Sequence, residues 1–421
     1  MYQVPRGTRD FTSNEMKNRR YVQKSMTKTF TSFGYGEIQT PTFENLELFT
    51  AKSGESITDE IYDFCDKGGR KLALRPELTA PVIRCYIEKM QMEPKPLKLF
   101  YFGNCYRYDR PQKGRYREFL QAGCELIGAD TPEAHAELIA LAYNLLKNVG
   151  VQHIILNIGN LTIIDRIFTK INLSQDCKKE ILPLIDKSQL DDVYNIILEQ
   201  GVSKENADLF LEILETSEIE KIKTIIKDDD VALTELSKLQ QIIDLLHTSY
   251  NVEQYQIKMS IVRGLDYYKG LVFEIDAPVL GAEKQLCGGG AYDLVKLFGG
   301  RDIPTAGFAI GFDRTILALE SENYCFPSPK TDIYIIPVNE DMIKQSIEIA
   351  QMLRKQGFIT ELDLLHRGVG KSLKHANSKN SENVIIVGPE ELEKDAVTLR
   401  DMKTGDQQLV KRADILKHLK K

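Results

Sequence analysis

No two cysteines of this 421-residue chain stand in a C-x-x-C spacing, and the seven present (Cys65, Cys85, Cys105, Cys124, Cys177, Cys287, Cys325) are scattered and odd in number. That argues for reduced thiols and against a disulfide framework or a protein zinc site. The six histidines lack H-x-x-x-H spacing, so no structural metal is expected. No apolar run approaches a membrane span, and no apolar signal core opens the chain. The expectation is a soluble, cytoplasmic protein with no membrane partner. A basic excess is missing as well. The formal net charge is −6, with only the stretch from Lys330 onward slightly basic, so nucleic acid would have to be met by local patches. The length exceeds one ordinary core and predicts two or three domains.

What the chain does have is a concentrated basic turn. Arg107, Arg110, Lys113, Arg115 and Arg117 surround a Pro-Gln-Lys-Gly turn, between the apolar stretches Lys98-Leu-Phe-Tyr-Phe-Gly-Asn and Phe119-Leu-Gln-Ala-Gly. The pattern predicts two antiparallel strands joined by a long basic loop. Guanidinium groups at a sheet end suit a polyphosphate or a nucleic-acid end, because their forked donors match phosphate oxygens. A solvated, charge-rich hairpin tip is the other reading of the same residues.

Ahead of the hairpin, an extended Pro5-Arg-Gly-Thr segment leads to Thr12 and Glu15, a capping-box pair that starts a helix. Val22, Met26, Phe30 and Phe33 fall on one stripe of that helix, which must lie on a core or on a partner subunit. Glu37-Ile-Gln-Thr-Pro41-Thr-Phe reads as a short strand stopped by proline. Tyr62-Asp-Phe and Lys71-Leu-Ala-Leu read as a hairpin, and Leu74-Arg-Pro-Glu-Leu-Thr-Ala as a strand end passing into a helix. Further strands are expected at 99–108, 117–126 and 153–159. Antiparallel strands with interspersed helices define an α+β class rather than a doubly wound parallel sheet.

From 161 to 251 the texture becomes helical, without a concentration of reactive residue types, and predicts an inserted helical subdomain. Strand character returns at Gln256-Ile-Lys-Met-Ser-Ile-Val and Gly270-Leu-Val-Phe-Glu-Ile, before the glycine-rich Cys287-Gly-Gly-Gly-Ala-Tyr-Asp. Glycines in strands remove side chains so that a ligand or another backbone can approach. Phe326-Pro-Ser-Pro-Lys-Thr marks a boundary. Beyond it, strands at Asp332-Ile-Tyr-Ile-Ile-Pro-Val, Ile359-Thr-Glu-Leu-Asp-Leu and Asn383-Val-Ile-Ile-Val-Gly alternate with helices, as in a small α/β domain with a partly parallel sheet.

Together these segments resemble the histidyl-tRNA synthetases, class II aminoacyl-tRNA synthetases, over essentially the whole chain. Pro5-Arg-Gly-Thr-Arg-Asp is similar to that family's opening, and 34–42 to class II motif 1. The segment 107–125 resembles the histidine-specific form of motif 2, and Gly307-Phe-Ala-Ile-Gly-Phe-Asp-Arg314 resembles motif 3. Val262-Arg-Gly-Leu-Asp-Tyr-Tyr268 looks like the family's own histidine motif, which class II enzymes do not generally share. The resemblance implies a class II antiparallel-sheet catalytic domain (1–325) with a helical insertion (161–251), followed by a C-terminal α/β anticodon-binding domain (331–421). It implies a homodimer joined through motif 1 and the first helix, with ATP, L-histidine and tRNA(His) as partners and Mg²⁺ accompanying ATP.

Activation brings a carboxylate against the α-phosphate of ATP, so charge must be stabilised on phosphoryl oxygens. The resemblance implies that Arg107 bridges the histidine carboxylate and α-phosphate, Arg263 grips that phosphate from another side, and Arg314 holds the terminal phosphates. It places Glu125 and Tyr268 at the imidazole, Glu77, Thr79 and Gln121 at the amino group, and Tyr292 as the closure of the pocket. Gln112, Lys113, Arg115 and Arg117 would face the tRNA acceptor end, and Arg367, Lys371 and Lys374 would contact RNA from the second domain. Arg75 and Glu77 could instead form a structural ion pair. His135 and His153 are expected to be structural. Three positions depart from the family: Asp313 stands for the usual glutamate, Ala291 for an arginine, and Lys269-Gly-Leu for the usual residues after the tyrosine pair. They keep two further readings open: a non-charging regulatory subunit of ATP phosphoribosyltransferase, and an amino-acid-activating enzyme with a different acceptor.

Overall fold

The computed structural model describes residues 2–110, 114–262, 268–327 and 330–419. The chain divides into two units, Met1–Cys325 and Phe326–Lys421. In chain order the strands of the first are β1 (Gly36–Glu37), β2 (Phe43–Asn45), β3 (Tyr62–Cys65), β4 (Lys71–Leu74), β5 (Leu97–Tyr106), β6 (Glu118–Ile127), β7 (Ile155–Asn160), β8 (Tyr255–Ile257), β9 (Tyr268–Asp276), β10 (Gln285–Tyr292) and β11 (Thr305–Gly311). Eight of them build one sheet in the order β1-β5-β6-β11-β10-β9-β7-β8, and β2-β4-β3 form a small one. The interior of the large sheet is antiparallel; β1 with β5 and β7 with β8 are parallel pairs. Two expected strands come out shorter. The proline-stopped segment pairs at Glu37, in β1, and again only at Phe43, where β2 begins, and the stretch after Gln256 pairs only to Ile257.

The capping box at Thr12 forms: Glu15 N–H donates to the Thr12 hydroxyl while the Glu15 carboxylate accepts from the Thr12 N–H. The helix it starts, Ser13–Ser32, buries Val22, Met26 and Phe30 completely. Phe30 stacks on Phe100 with ring centroids 4.7 Å apart and also packs on Phe308. This stripe therefore covers the chain's own sheet. Of the two readings open to the stripe, a core or a partner subunit, Val22, Met26 and Phe30 meet the first.

Parallel strands need a crossover. Between β7 and β8 that crossover is a set of helices: Leu161–Lys170, Gln175–Asp186, Leu190–Glu199, Lys204–Glu215, Ile219–Ile225 and Asp230–Thr248. Asn160, Ser174, Ser203 and Asp229 cap four of them by accepting an N–H three residues on. Phe168 and Phe210, both buried, hold the block together at 5.3 Å.

The second unit contains β12 (Ile333–Pro337), β13 (Thr360–Leu362), β14 (Asn383–Val387), β15 (Ala396–Asp401) and β16 (Gln407–Lys411), in the sheet order β13-β12-β14-β15-β16. Parallel pairing holds across β13-β12-β14, with helices Ile343–Lys355 and Val369–Ser378 as crossovers. The last two strands pair antiparallel and were not read from the sequence, because β16 is exposed at four of its five positions and carries no apolar run.

Candidate active site

Glu125 is the most buried acid of the large sheet. It lies on β6 with none of its surface exposed. Its carboxylate accepts from the Tyr101 hydroxyl at 3.0 Å and from the Tyr292 hydroxyl. Burial pushes its pKa to about 8, against the opposing effect of the hydroxyls of Tyr292, Thr79 and Tyr101. Two glycines make this arrangement possible. A Cβ on Gly307, directly across β11, would stand 2.0 Å from a Glu125 oxygen, and one on Gly123 would stand 2.6 Å from the Tyr101 hydroxyl. Tyr268 meets the Tyr292 ring edge-on at 6.2 Å, so β9 and β10 close the same side.

Side chains two apart on a strand share a face, and Gln121 lies on β6 on the Glu125 side, 9% exposed. Its amide oxygen accepts weakly from the Cys105 thiol at 3.5 Å, and burial raises that thiol to about 12, leaving it inert as a nucleophile. Glu77 caps the helix Thr79–Cys85: one oxygen accepts the Thr79 N–H at 2.7 Å, and both accept the Ala80 N–H. Its ion partner is Lys52 at 3.4 Å. Arg75 does not pair with it in the manner considered above. That guanidinium donates to the carbonyls of Thr40, Pro41 and Asn104 and so ties β4 to β5 and the segment after β1.

The cations gather where β5 and β6 end. Arg107 donates from Nε to the Pro76 carbonyl at 2.9 Å and lies over the Phe119 ring. This fixes its stem beside Glu77. Arg314 opens the helix Phe312–Ser321 and donates to Gly114 O at 3.1 Å, Gln285 O at 3.0 Å and Glu283 Oε2 at 2.5 Å. Arg115 is half exposed and lies 3.4 Å from the other Glu283 oxygen. Arg117 packs on Tyr108 and donates to Asp109 O. Arg263, Gln112 and Lys113 lie outside the described residues.

Asp313 is a buried node. It receives Arg19 at 2.5 Å, Arg9 at 2.9 Å and the Leu120 N–H at 2.8 Å. One acid thereby joins the opening segment, the first helix and β6. Ala291 lies one residue before Tyr292 and, together with Tyr292, lines a cavity of about 200 Å³ with Asp130, His135, Glu235, Lys269 and Asp293; Glu125 is outside that lining. Lys269 pairs with Asp293 there. In the second unit, Lys371 and Lys374 are exposed on the helix Val369–Ser378, whereas Arg367 is held at 2.6 Å by the buried Asp363. Asp363 also accepts from Ser372 Oγ, and these bonds lower its pKa in spite of burial.

Sequence reasoning missed Tyr101, Lys52, Glu283 and the full role of Asp313. For Tyr101 a signal existed: it stands directly across from Gly123, where the missing side chain leaves room for a ring. Glu283 ends the short Pro278–Glu283 segment, which has no periodicity, and gave none. Among the described residues no group of three or more His, Cys, Asp or Glu side chains is placed to hold a metal ion.

An antiparallel sheet with a buried acid amid tyrosines and cations at its strand ends, joined to a separate five-stranded unit, is a class II aminoacyl-tRNA synthetase catalytic fold with a C-terminal anticodon-binding module. The chain belongs to the histidyl-tRNA synthetase family. That family's profile, described as histidyl-tRNA synthetase, matches residues 7–315, and an anticodon binding domain profile matches 332–421. The chain is 44% identical to the histidine–tRNA ligase of Methanocaldococcus jannaschii over 418 residues, 97% of each chain. It is 43% identical to that of Methanosarcina acetivorans, covering 99% of this chain and 98% of the relative. The apo histidyl-tRNA synthetase of S. aureus superposes with a TM-score of 0.77 at 28% identity over all of both chains.

Proposed function

We propose that this chain is a histidine–tRNA ligase, joining ATP, L-histidine and tRNA(His) through a histidyl-adenylate. Full-length similarity to histidine–tRNA ligases supports the reaction. The observation that carries the substrate is Glu125, a wholly buried carboxyl held by two tyrosine hydroxyls, which suits a ring N–H donor better than an aliphatic side chain. Tyr268 and Tyr292 would flank the imidazole, and Glu77, Thr79 and Gln121 would receive the amino group.

The histidine carboxylate then attacks the α-phosphorus, and the bond to the β-phosphate oxygen breaks with pyrophosphate leaving. Arg107, anchored at Pro76 O, bridges the carboxylate and α-phosphate; Arg263 grips the same phosphate; Arg314 takes the terminal phosphates. These roles are positional and electrostatic and need no proton exchange. Mg²⁺, when bound with ATP, neutralises charge on the phosphoryl oxygens. Phosphate oxygens and water would hold it. In the second step a terminal ribose hydroxyl of tRNA attacks the carbonyl carbon and AMP leaves. Arg115 and Arg117, with Gln112 and Lys113, would guide that end; Lys371 and Lys374, with Arg367 in a supporting place, would hold RNA at the second unit.

A homodimer in the cytoplasm completes the reading. Phe43 and Phe64 stay exposed on the small sheet, ring against ring at 6.3 Å, directly after motif 1, and offer an apolar face to a second copy. No helix among the described residues is long and apolar enough to cross a membrane. The regulatory-subunit reading is not favoured, since the ligase relatives match nearly the whole length, C-terminal module included. ATP–pyrophosphate exchange across all amino acids, with transfer to purified tRNA, tests the proposal. Histidine alone should support exchange; its failure to do so would overturn the reading, and exchange without transfer would point to another acceptor.

A further inference from the structure

Arg314 already holds a carboxylate in this fold. Glu283 Oε2 lies 2.5 Å from Arg314 Nη2, and Glu283 Oε1 lies 3.4 Å from Arg115 Nε. The other donors of Arg314 fix it to the basic turn through Gly114 O and to the start of β10 through Gln285 O. Carboxylate and phosphate present similar oxygen pairs to a guanidinium fork. We propose that Glu283 is a resident surrogate for nucleotide phosphate, a positioning residue that holds Arg314 in its receiving place, with Arg115 drawn in beside it, until the terminal phosphates of ATP displace it. The inference rests on the reading above that Arg314 takes those phosphates.

Three features make displacement, rather than permanent structure, the role of this contact. The segment that carries Glu283, Pro278–Glu283, contributes no buried residue among those described, so little packing holds it. Its Gly281 has φ of +61°, in the region that favours glycine, so the kink ahead of Glu283 carries no side-chain strain. Glu283 brings a single negative charge to the two guanidinium groups it touches. A polyphosphate tail carries more negative charge than Glu283 and is the stronger partner for the pair. A ligand must carry the terminal phosphates to compete, so Glu283 also discriminates ATP from AMP.

Isothermal titration of the full chain with inorganic tripolyphosphate, ATP and AMP tests this. Glu283→Gln keeps the shape and removes the competing charge. It should tighten tripolyphosphate and ATP roughly threefold to tenfold, tenfold being about 1.4 kcal/mol, leave AMP unchanged, and lower the KM for ATP more than it changes kcat. Unchanged or weaker polyphosphate binding would overturn the inference, as would an equal gain for AMP, which would mark a general field effect. If Glu283→Gln does not fold, Glu283→Ala, which removes the same charge, carries the same comparison. Loss of the ligase reading would appear separately, as absence of histidine-dependent exchange in the unaltered chain, while the tripolyphosphate titration still decides the role of Glu283.

Discussion

Replacing Glu125 with Gln isolates the energetics of one buried acid. An ordinary glutamate carboxyl has a pKa of 4.5, and burial in this fold raises that of Glu125 to about 8. The folded chain therefore keeps a proton across a range in which the unfolded chain has lost it. Folding stability depends on that difference in bound protons, so the contribution of Glu125 is fully present below about pH 4.5, declines as pH rises, and is lost by about pH 8. Each pH unit of that window corresponds to about 1.4 kcal/mol. The decline is thus on the order of 5 kcal/mol if the pocket does not relax, and less if water enters. Glu125→Gln keeps an oxygen for the Tyr101 and Tyr292 hydroxyls but cannot ionise. Urea denaturation followed by circular dichroism from pH 5.5 to 8.5 should show wild type losing stability relative to the variant by several kcal/mol, with the C-terminal unit cancelling in the difference. Saturating histidine should flatten the slope, because a ring N–H donor favours the carboxylate. A pH-independent difference, or a wild type that gains on the variant as pH rises, would refute the reasoning.

Three other substitutions test separate parts of the site. Arg107→Lys loses the guanidinium fork while keeping charge and should lower histidine-dependent exchange by about 10²- to 10³-fold with little change in thermal midpoint; near-normal exchange would remove Arg107 from the chemistry. Asp313→Asn leaves Arg9 and Arg19 without their anion and should cost about 3 kcal/mol in denaturant titration, as expected for breaking a buried pair. A midpoint within error of wild type would show that the node is solvated. The double change of Lys371 and Lys374 to Ala should reduce the salt dependence of tRNA binding, the slope of log affinity on log salt falling by about 1.5, while exchange without tRNA stays the same.

The parts legible in the sequence were those that depend on local pattern. Alternation on either side of the basic turn located β5 and β6 within two residues, and the Thr12–Glu15 pair located the first helix. The pattern of Val22, Met26 and Phe30 showed that a face is covered but not by what. The stacking of Phe30 on Phe100 depends on an encounter seventy residues away that no local period encodes. Glu283 and Arg314 meet across 31 residues through a short segment with no periodicity. Tyr101 needed the strand register before its hydroxyl could be placed on Glu125. Ala291 shares with Tyr292 the lining of the cavity of Asp130, Glu235 and Asp293, residues far from it in sequence that no local pattern brings together.

Register is what turns this sheet into a pocket. Gln121 pairs with Gly311 and Gly103, and Glu125 pairs with Gly307 and Leu99, so both side chains depend on where β6 sits between β5 and β11. A slip of one residue would turn both to the opposite face together. The glycines exclude that slip by shape as well as by hydrophobic pattern. A side chain at position 123 would run into Phe308 O at 2.5 Å, and one at 307 would meet Cys124 O at 2.5 Å, so only the observed alignment puts residues without side chains at both tight approaches. Because those approaches also create the room for the Tyr101 ring and the Glu125 carboxylate, the feature that fixes the fold of β6 is the feature that admits its buried acid. Stability and the ring-binding chemistry of the pocket therefore cannot be varied independently along this strand.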